Sequence, residues 1–256
     1  MPNLAHVQAL HKRYKPQSEI AKLGDVSSFL LKESLNPDRL EKAFLTISNR
    51  LGPEFETYFD MGSDADVALL FIDICSFSTR YAQLSSEDLS TFLDAYYERL
   101  IPIIYEHGGE IDRIMGDGII AIFGPPFLKP TTSNAIIKAL ACSLKTIVLT
   151  TNTKFFSKIA LHAGKIRYYR NKSTQYPEYT IIGKPVTELY RLESISCDNS
   201  ITYYSGSLVD QSIEHLIEIG KLPVYNHRNW ICTGSQPIIS SLKGVDFNHI
   251  KHIQHL

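Results

Sequence analysis

GGEIDRIMGDGIIAIFG, residues 108–124, decides the fold of this chain. Apolar and polar residues alternate on either side of Gly116-Asp117-Gly118, the pattern of two strands joined by a tight turn. The stretch therefore reads as a β-hairpin. Asp117 stands at its tip, where turn chemistry alone accommodates an Asp beside Gly. A carboxylate held there for a ligand is the other reading, and the flanking sequence has to weigh the two.

Upstream, SSEDLSTFLDAYYERLIPIIYEHGG (85–109) predicts a helix. Ser85 or Ser86 caps it, Glu87 and Asp88 complement its N-terminus, and Gly108 stops it. Leu89, Phe92, Leu93, Tyr96, Leu100 and Ile103 form its apolar stripe, and Pro102 predicts a kink or a 3₁₀ turn. Before that helix, DVALLFIDI (66–74) is dense enough in apolar residues for a buried central strand.

Downstream, TTSNAIIKALACSLKTIVLT (131–150) predicts a second helix. FFSKIALHAGKIRYYR (155–170) and YPEYTIIG (176–183) predict strands, and KPVTELYRLESIS (184–196) a further helix. The order strand, helix, hairpin, helix, strand is that of an α+β, ferredoxin-like (βαββαβ) sheet with helices on one face.

Residues 1–62 differ in texture and are expected to be an N-terminal helical segment. NPDRLEKAFLTISNRL (36–51) carries a capping Asn36, Pro37 in the first turn, and an apolar face of Leu40, Phe44, Leu45 and Ile47. DMGSDAD (60–66) reads as a linker, so the main domain is expected over 63–256, with its core in 63–205.

Composition narrows the function classes. The 256 residues are 44% hydrophobic, enough for one substantial core, and the formal net charge is −1. No global field draws such a chain to nucleic acid or to a membrane. Cys75, Cys142, Cys197 and Cys232 are scattered, which suits a reducing compartment better than a disulfide scaffold or zinc site. The start is too polar for a signal peptide, and purely apolar runs are too short to span a bilayer. A soluble, cytoplasmic protein is expected. His162 reads as structural, and HIKHIQHL (249–256) as a solvated end.

In the expected topology the end of the first strand and the hairpin turn are neighbours. Asp73 ends that strand, so Asp73 and Asp117 come side by side. Two adjacent carboxylates at the edge of a core are costly unless a cation lies between them. Two hard oxygen ligands with room for phosphates suit Mg²⁺ or Mn²⁺. The small residues after Asp73 offer backbone N–H groups to a polyphosphate, with Phe77 and the Ser78 hydroxyl in the same loop.

LLFIDICSFS (69–78), GGEIDRIMGDGIIAIFG, IALHAGKI (159–166) and YTIIGKPVTELYRLE (179–193), in this order, resemble the class III nucleotidyl cyclase catalytic domain. The resemblance covers roughly residues 63–205 and continues weakly to SSLKGV (240–245). It implies conversion of a nucleoside triphosphate to a 3′,5′-cyclic monophosphate and pyrophosphate with two divalent ions, Mn²⁺ or Mg²⁺. Asp73 and Asp117 match the family's metal-binding aspartates, with the Ile74 carbonyl as a further ligand. Arg191 matches the arginine that stabilises charge on the α-phosphate. The resemblance also implies a homodimer with shared active sites, each protomer supplying part of each site.

Two positions depart from the family. Four residues before Arg191 the family usually has Asn to orient the ribose; here it is Thr187, on the same helical face. Four residues before the second metal aspartate, adenylate-type members usually have Lys; here it is Arg113, partnered by Thr180. A larger, two-pronged donor hints at a smaller base, uracil, with carbonyl acceptors. Tyr81 either narrows that pocket by stacking on the base or packs as an ordinary aromatic.

The compact layout and these departures also resemble the bacterial pyrimidine cyclases of Pycsar anti-phage systems. That resemblance implies UTP as substrate and cyclic UMP as a product read by a separate effector. The rivals are an adenylate cyclase making cyclic AMP and a catalytically weak nucleotide sensor. A diguanylate cyclase, suggested by Gly108-Gly109-Glu110, is disfavoured because those residues end a helix instead of forming the turn.

Overall fold

The computed structural model describes residues 62–125, 127–128, 132–170, 179–224, 227–239 and 242–256. The predicted helix at 36–51 lies outside these residues. In chain order the elements are β1 (Asp64–Ile74), α1 (Phe77–Arg80), α2 (Ser86–Glu106), β2 (Glu110–Met115), β3 (Gly118–Phe123), α3 (Thr132–Thr150) and β4 (Ser157–Arg170). There follow β5 (Tyr179–Ile182), α4 (Lys184–Ser194), β6 (Ser200–Tyr204), α5 (Leu208–Glu218), β7 (Trp230–Cys232), β8 (Gln236–Pro237) and β9 (His249–His255).

The strands form one sheet in the order β2-β3-β1-β4-β6-β9-β7, with β5 on β4 and β8 on β9. The first four neighbours are all antiparallel, as the ferredoxin-like reading requires. β1 lies inside the sheet, which explains its near-continuous apolar run. Its alternate side chains serve two cores. Ala68, Leu70, Ile72 and Ile74 join α2, α3 and α5 on one face; Val67, Leu69 and Phe71 join Leu189 and Leu192 of α4 on the other.

That second core corrects the expectation of helices on one face. α4 covers the opposite side because its apolar face, Leu189 and Leu192, is matched by the odd-numbered side chains of β1. Three further expectations change. α2 stays α-helical through Pro102, with no 3₁₀ turn there. The stretch 249–256 is not a solvated end: His249–His255 form β9 between β6 and β7, with Ile250, His252 and Ile253 buried. The sheet thus continues well past residue 205.

Ser85 caps α2 as read, its side chain accepting from the Asp88 N–H. α3 is, among the described residues, the helix long and apolar enough to cross a membrane by composition. Its Ala135, Ile136, Ala139, Leu140 and Ile147 are buried in the first core, which accounts for that apolarity. All four cysteines are free thiols.

Candidate active site

The hairpin that opened the sequence reading is the hinge of the site. Met115 pairs with Gly118, leaving Gly116 and Asp117 as the two turn residues. Gly116 has φ 61, a conformation glycine adopts without cost at the first central position of a hairpin turn. Gly118 is required for a second reason: a Cβ there would meet the Phe71 ring at 2.8 Å. The Tyr97 hydroxyl donates to the Gly116 carbonyl and ties the turn to α2.

Held this way, Asp117 meets the end of β1. Its carboxyl lies close enough to that of Asp73 for each to feel the other's charge. Both aspartates are part-buried. Burial first, then the charges of Asp117 and Glu193, push the Asp73 carboxyl up to about 7, against the downward pull of Lys158. Burial likewise raises Asp117. Two carboxylates so placed repel unless a proton or a cation intervenes. The donor set fits a divalent ion with open positions for phosphate oxygens: two carboxylates and the end of a strand, with no three His, Cys, Asp or Glu side chains forming a closed cage among the described residues.

After Ile74 the chain turns sharply. Ser76 has φ 54, unusual for a residue with a side chain, and leads into the single turn of α1. Ser78 is exposed there. Phe77 and Tyr81 pack with Phe92, the Tyr81 ring centroid 4.4 Å from that of Phe92. The Tyr81 hydroxyl donates to the Lys154 carbonyl. Tyr81 thus packs against the first core and is not brought together with Arg113 and Thr180 in this protomer.

Those two do meet. Arg113 donates from Nη2 to the Thr180 hydroxyl, across 67 residues of sequence, and from Nε to Asp112 at 2.6 Å. A register shift between Ile111 and Arg113 makes this possible: Ile111 stays in the first core while Arg113 turns toward the α4 side. Tyr190 of α4 stands beside the guanidinium, its ring edge-on to Phe71 and its hydroxyl 3.7 Å from Met115 Sδ.

Thr187 and Arg191 lie four residues apart on the outer side of α4, both exposed. Neither side chain has a hydrogen-bond or ion-pair partner among the described residues. Glu188 faces inward instead, 3.0 Å from His162 Nε2, and both are buried, so His162 is indeed part of the core. α4 therefore presents one face to the sheet and offers the catalytic candidates outward.

Sequence reasoning missed Lys158, Glu193 and Tyr190. Lys158 stands opposite Asp73 in the β1–β4 ladder, 3.6 Å from its carboxylate, and 2.8 Å from Glu193. Only the strand register brings these groups together. Glu193 and Tyr190 flank Arg191 in a helix that read simply as amphipathic.

Several known proteins share this fold in part. Among solved structures, the guanylyl cyclase Cya2 is 21% identical with a TM-score of 0.58, over 75% of this chain and 92% of its own. The adenylyl cyclase CyaB from P. aeruginosa is 19% identical with a TM-score of 0.58, over 75% and 94%. These likenesses show the fold. An uncharacterized protein of Mycobacterium tuberculosis (strain ATCC 25618 / H37Rv) is 24% identical over 147 residues, 57% of this chain. A second from the same strain is 26% identical over 131 residues, 51% of this chain. The chain spans about a quarter of the length of these relatives, 25% and 24%. The sequence profile of the adenylate and guanylate cyclase catalytic domain matches residues 59–209, more than half of the chain, and with the β1 end, the hairpin turn and α4 all inside that match, this chain belongs to that family.

Proposed function

We infer that this protein is a nucleotidyl cyclase acting on a nucleoside triphosphate, with UTP the preferred substrate. One observation carries the reading: β1 and the β2–β3 turn bring Asp73 and Asp117 into one half-buried pair that needs a cation. Asp73, Asp117 and the Ile74 carbonyl would hold two divalent ions, Mn²⁺ or Mg²⁺. Bound there, such ions lower the pKa of a ribose hydroxyl and neutralise a triphosphate.

The chain's own groups supply the remainder. The loop of Phe77 and Ser78 follows directly on Asp73, suited to hold the phosphates. Arg191 would offer its guanidinium where charge grows on the α-phosphate as the 3′-oxygen attacks and pyrophosphate leaves. Thr187 offers one hydroxyl to the ribose. Attack within one molecule makes the folded pose of the nucleotide a large part of the rate.

Arg191 and Thr187 point out of the protomer, whereas Lys158 and Glu193 close around its own Asp73. A head-to-tail homodimer resolves this, with α4 of one subunit completing the carboxylate site of the other. Arg113 is already held by Asp112 and Thr180, which narrows the base pocket and favours a pyrimidine. Thr180 also supports the rival reading, since Thr occurs there in adenylate-type members. A cytoplasmic enzyme whose cyclic UMP signals infection to a separate effector is the role that the likeness to pyrimidine cyclases supports. The test is incubation of the purified protein with each of the four triphosphates and Mn²⁺, with product identification. Cyclic UMP as the main product is expected; cyclic AMP would make it an adenylate cyclase, and no cyclic product a nucleotide sensor.

A further inference from the structure

We propose that Lys158 is a tethered counter-ion of the aspartate pair, and that its division between Asp73 and Glu193 sets the site's affinity for divalent cations. This rests on the reading of Asp73 and Asp117 as metal ligands and adds a tuning device to it. Lys158 leaves β4 directly opposite Asp73, so the ladder itself aims the ammonium at the carboxylate. It stops at 3.6 Å from Asp73 and makes its close contact, 2.8 Å, with Glu193 of α4. All three side chains are about four-fifths buried, at 18% to 20% exposure, so solvent screens them weakly.

The geometry divides the labour. Glu193 raises the negative potential felt by both aspartates, yet it does not join them as a third ligand. Its oxygen is engaged by Lys158 instead. Asp73, Asp117, Glu193 and Lys158 thus bring together three acidic groups and one basic group. A cation entering between the aspartates has to displace the pull of Lys158 on Asp73. Glu193 makes that possible by giving the ammonium somewhere else to go.

The two partners should thus act with opposite sign. Removing Lys158 leaves a more negative site. Removing Glu193 takes away a negative charge and frees Lys158 to close on Asp73. A purely structural pair predicts something different: either loss loosens the site and weakens binding.

The experiment is titration of the metal-free, full-length chain with Mn²⁺ and no nucleotide, following the signal of free Mn²⁺ by electron paramagnetic resonance. Circular dichroism confirms the fold of each variant. Lys158→Met should bind Mn²⁺ about tenfold more tightly, and Glu193→Gln about tenfold more weakly, from one charge removed at near-contact range. The double variant restores the charge count and should return to within about threefold of the wild type. Weaker or unchanged binding by Lys158→Met overturns the proposal, as does a double variant weaker than both. If Lys158→Met does not fold, Lys158→Gln takes its place, and unchanged or weaker Mn²⁺ binding by it overturns the proposal. Asp117→Ala is the control: if it binds Mn²⁺ as well as the wild type, the metal-pair reading fails and the tuning proposal falls with it.

Discussion

Ile72 and Asp73 are consecutive residues of β1, and the sheet sends them to regions of opposite character. Ile72 enters the face packed by α2, α3 and α5, where it is wholly buried. Asp73 turns to the face covered by α4, where Lys158, Glu193 and Asp117 surround it. The first face is almost entirely apolar and closed by three helices, and Ser143 there bonds to the Ala139 carbonyl. The second is covered by one helix and part of the C-terminal loop, and collects groups whose charges are only partly balanced. A close-packed face tolerates no unpaired charge. The thinner face can carry several, and it is there that the candidate site lies.

The difference can be broken most severely at Asp117. Asp117→Ala should lower turnover by about a thousandfold or more, through loss of a metal-held phosphate clamp, and leave thermal melting nearly unchanged. A folded variant with near-native turnover would remove the chemistry from this face. Mixing sharpens the picture further. Asp73→Ala and Arg191→Ala should each be inactive, yet together recover about a quarter of wild-type activity, since about half of randomly paired dimers hold one intact site. A mixture that stays inactive despite measured subunit exchange would show that α4 does not complete a partner's site.

The opposite face should respond in the opposite way. Ile72→Ala should cost about 2–5 kcal/mol of stability by denaturant titration, with turnover per folded molecule preserved. At the base pocket, Arg113→Ala should cut the preference for UTP over ATP in a competition assay, worth about 1–3 kcal/mol. The gentlest effect lies at His252, buried in β9 with its Nδ1 2.9 Å from the Thr202 hydroxyl. Burial lowers its pKa below the unfolded value, so the unfolded chain binds the proton more readily. The stability tied to neutral His252 is complete above pH about 6.5 and is lost as pH falls through the folded pKa. His252→Gln should flatten that acid limb in melting experiments.

Much of this was legible along the chain because it is local. The alternation around Gly116-Asp117-Gly118 determined the hairpin, the apolar run ending in Asp73 determined a central strand, and Ser85 determined where α2 begins. Periodicity and capping act over a few residues, so a linear reading sees them. The ladder and the second core are different. That Lys158 stands opposite Asp73, that Arg113 reaches Thr180, that α4 lies across the sheet from the other helices, and that the histidine-rich end is an interior strand all depend on register between distant segments. His252 and His255 hid the alternation of β9 because histidine is polar in a sequence, yet here His252 is buried against Thr202 and His255 half-buried against Trp230. Sequence by itself determined the family and the candidate residues of the site; tertiary structure decided which of them share a charge, because electrostatic coupling follows distance through the fold and not distance along the chain.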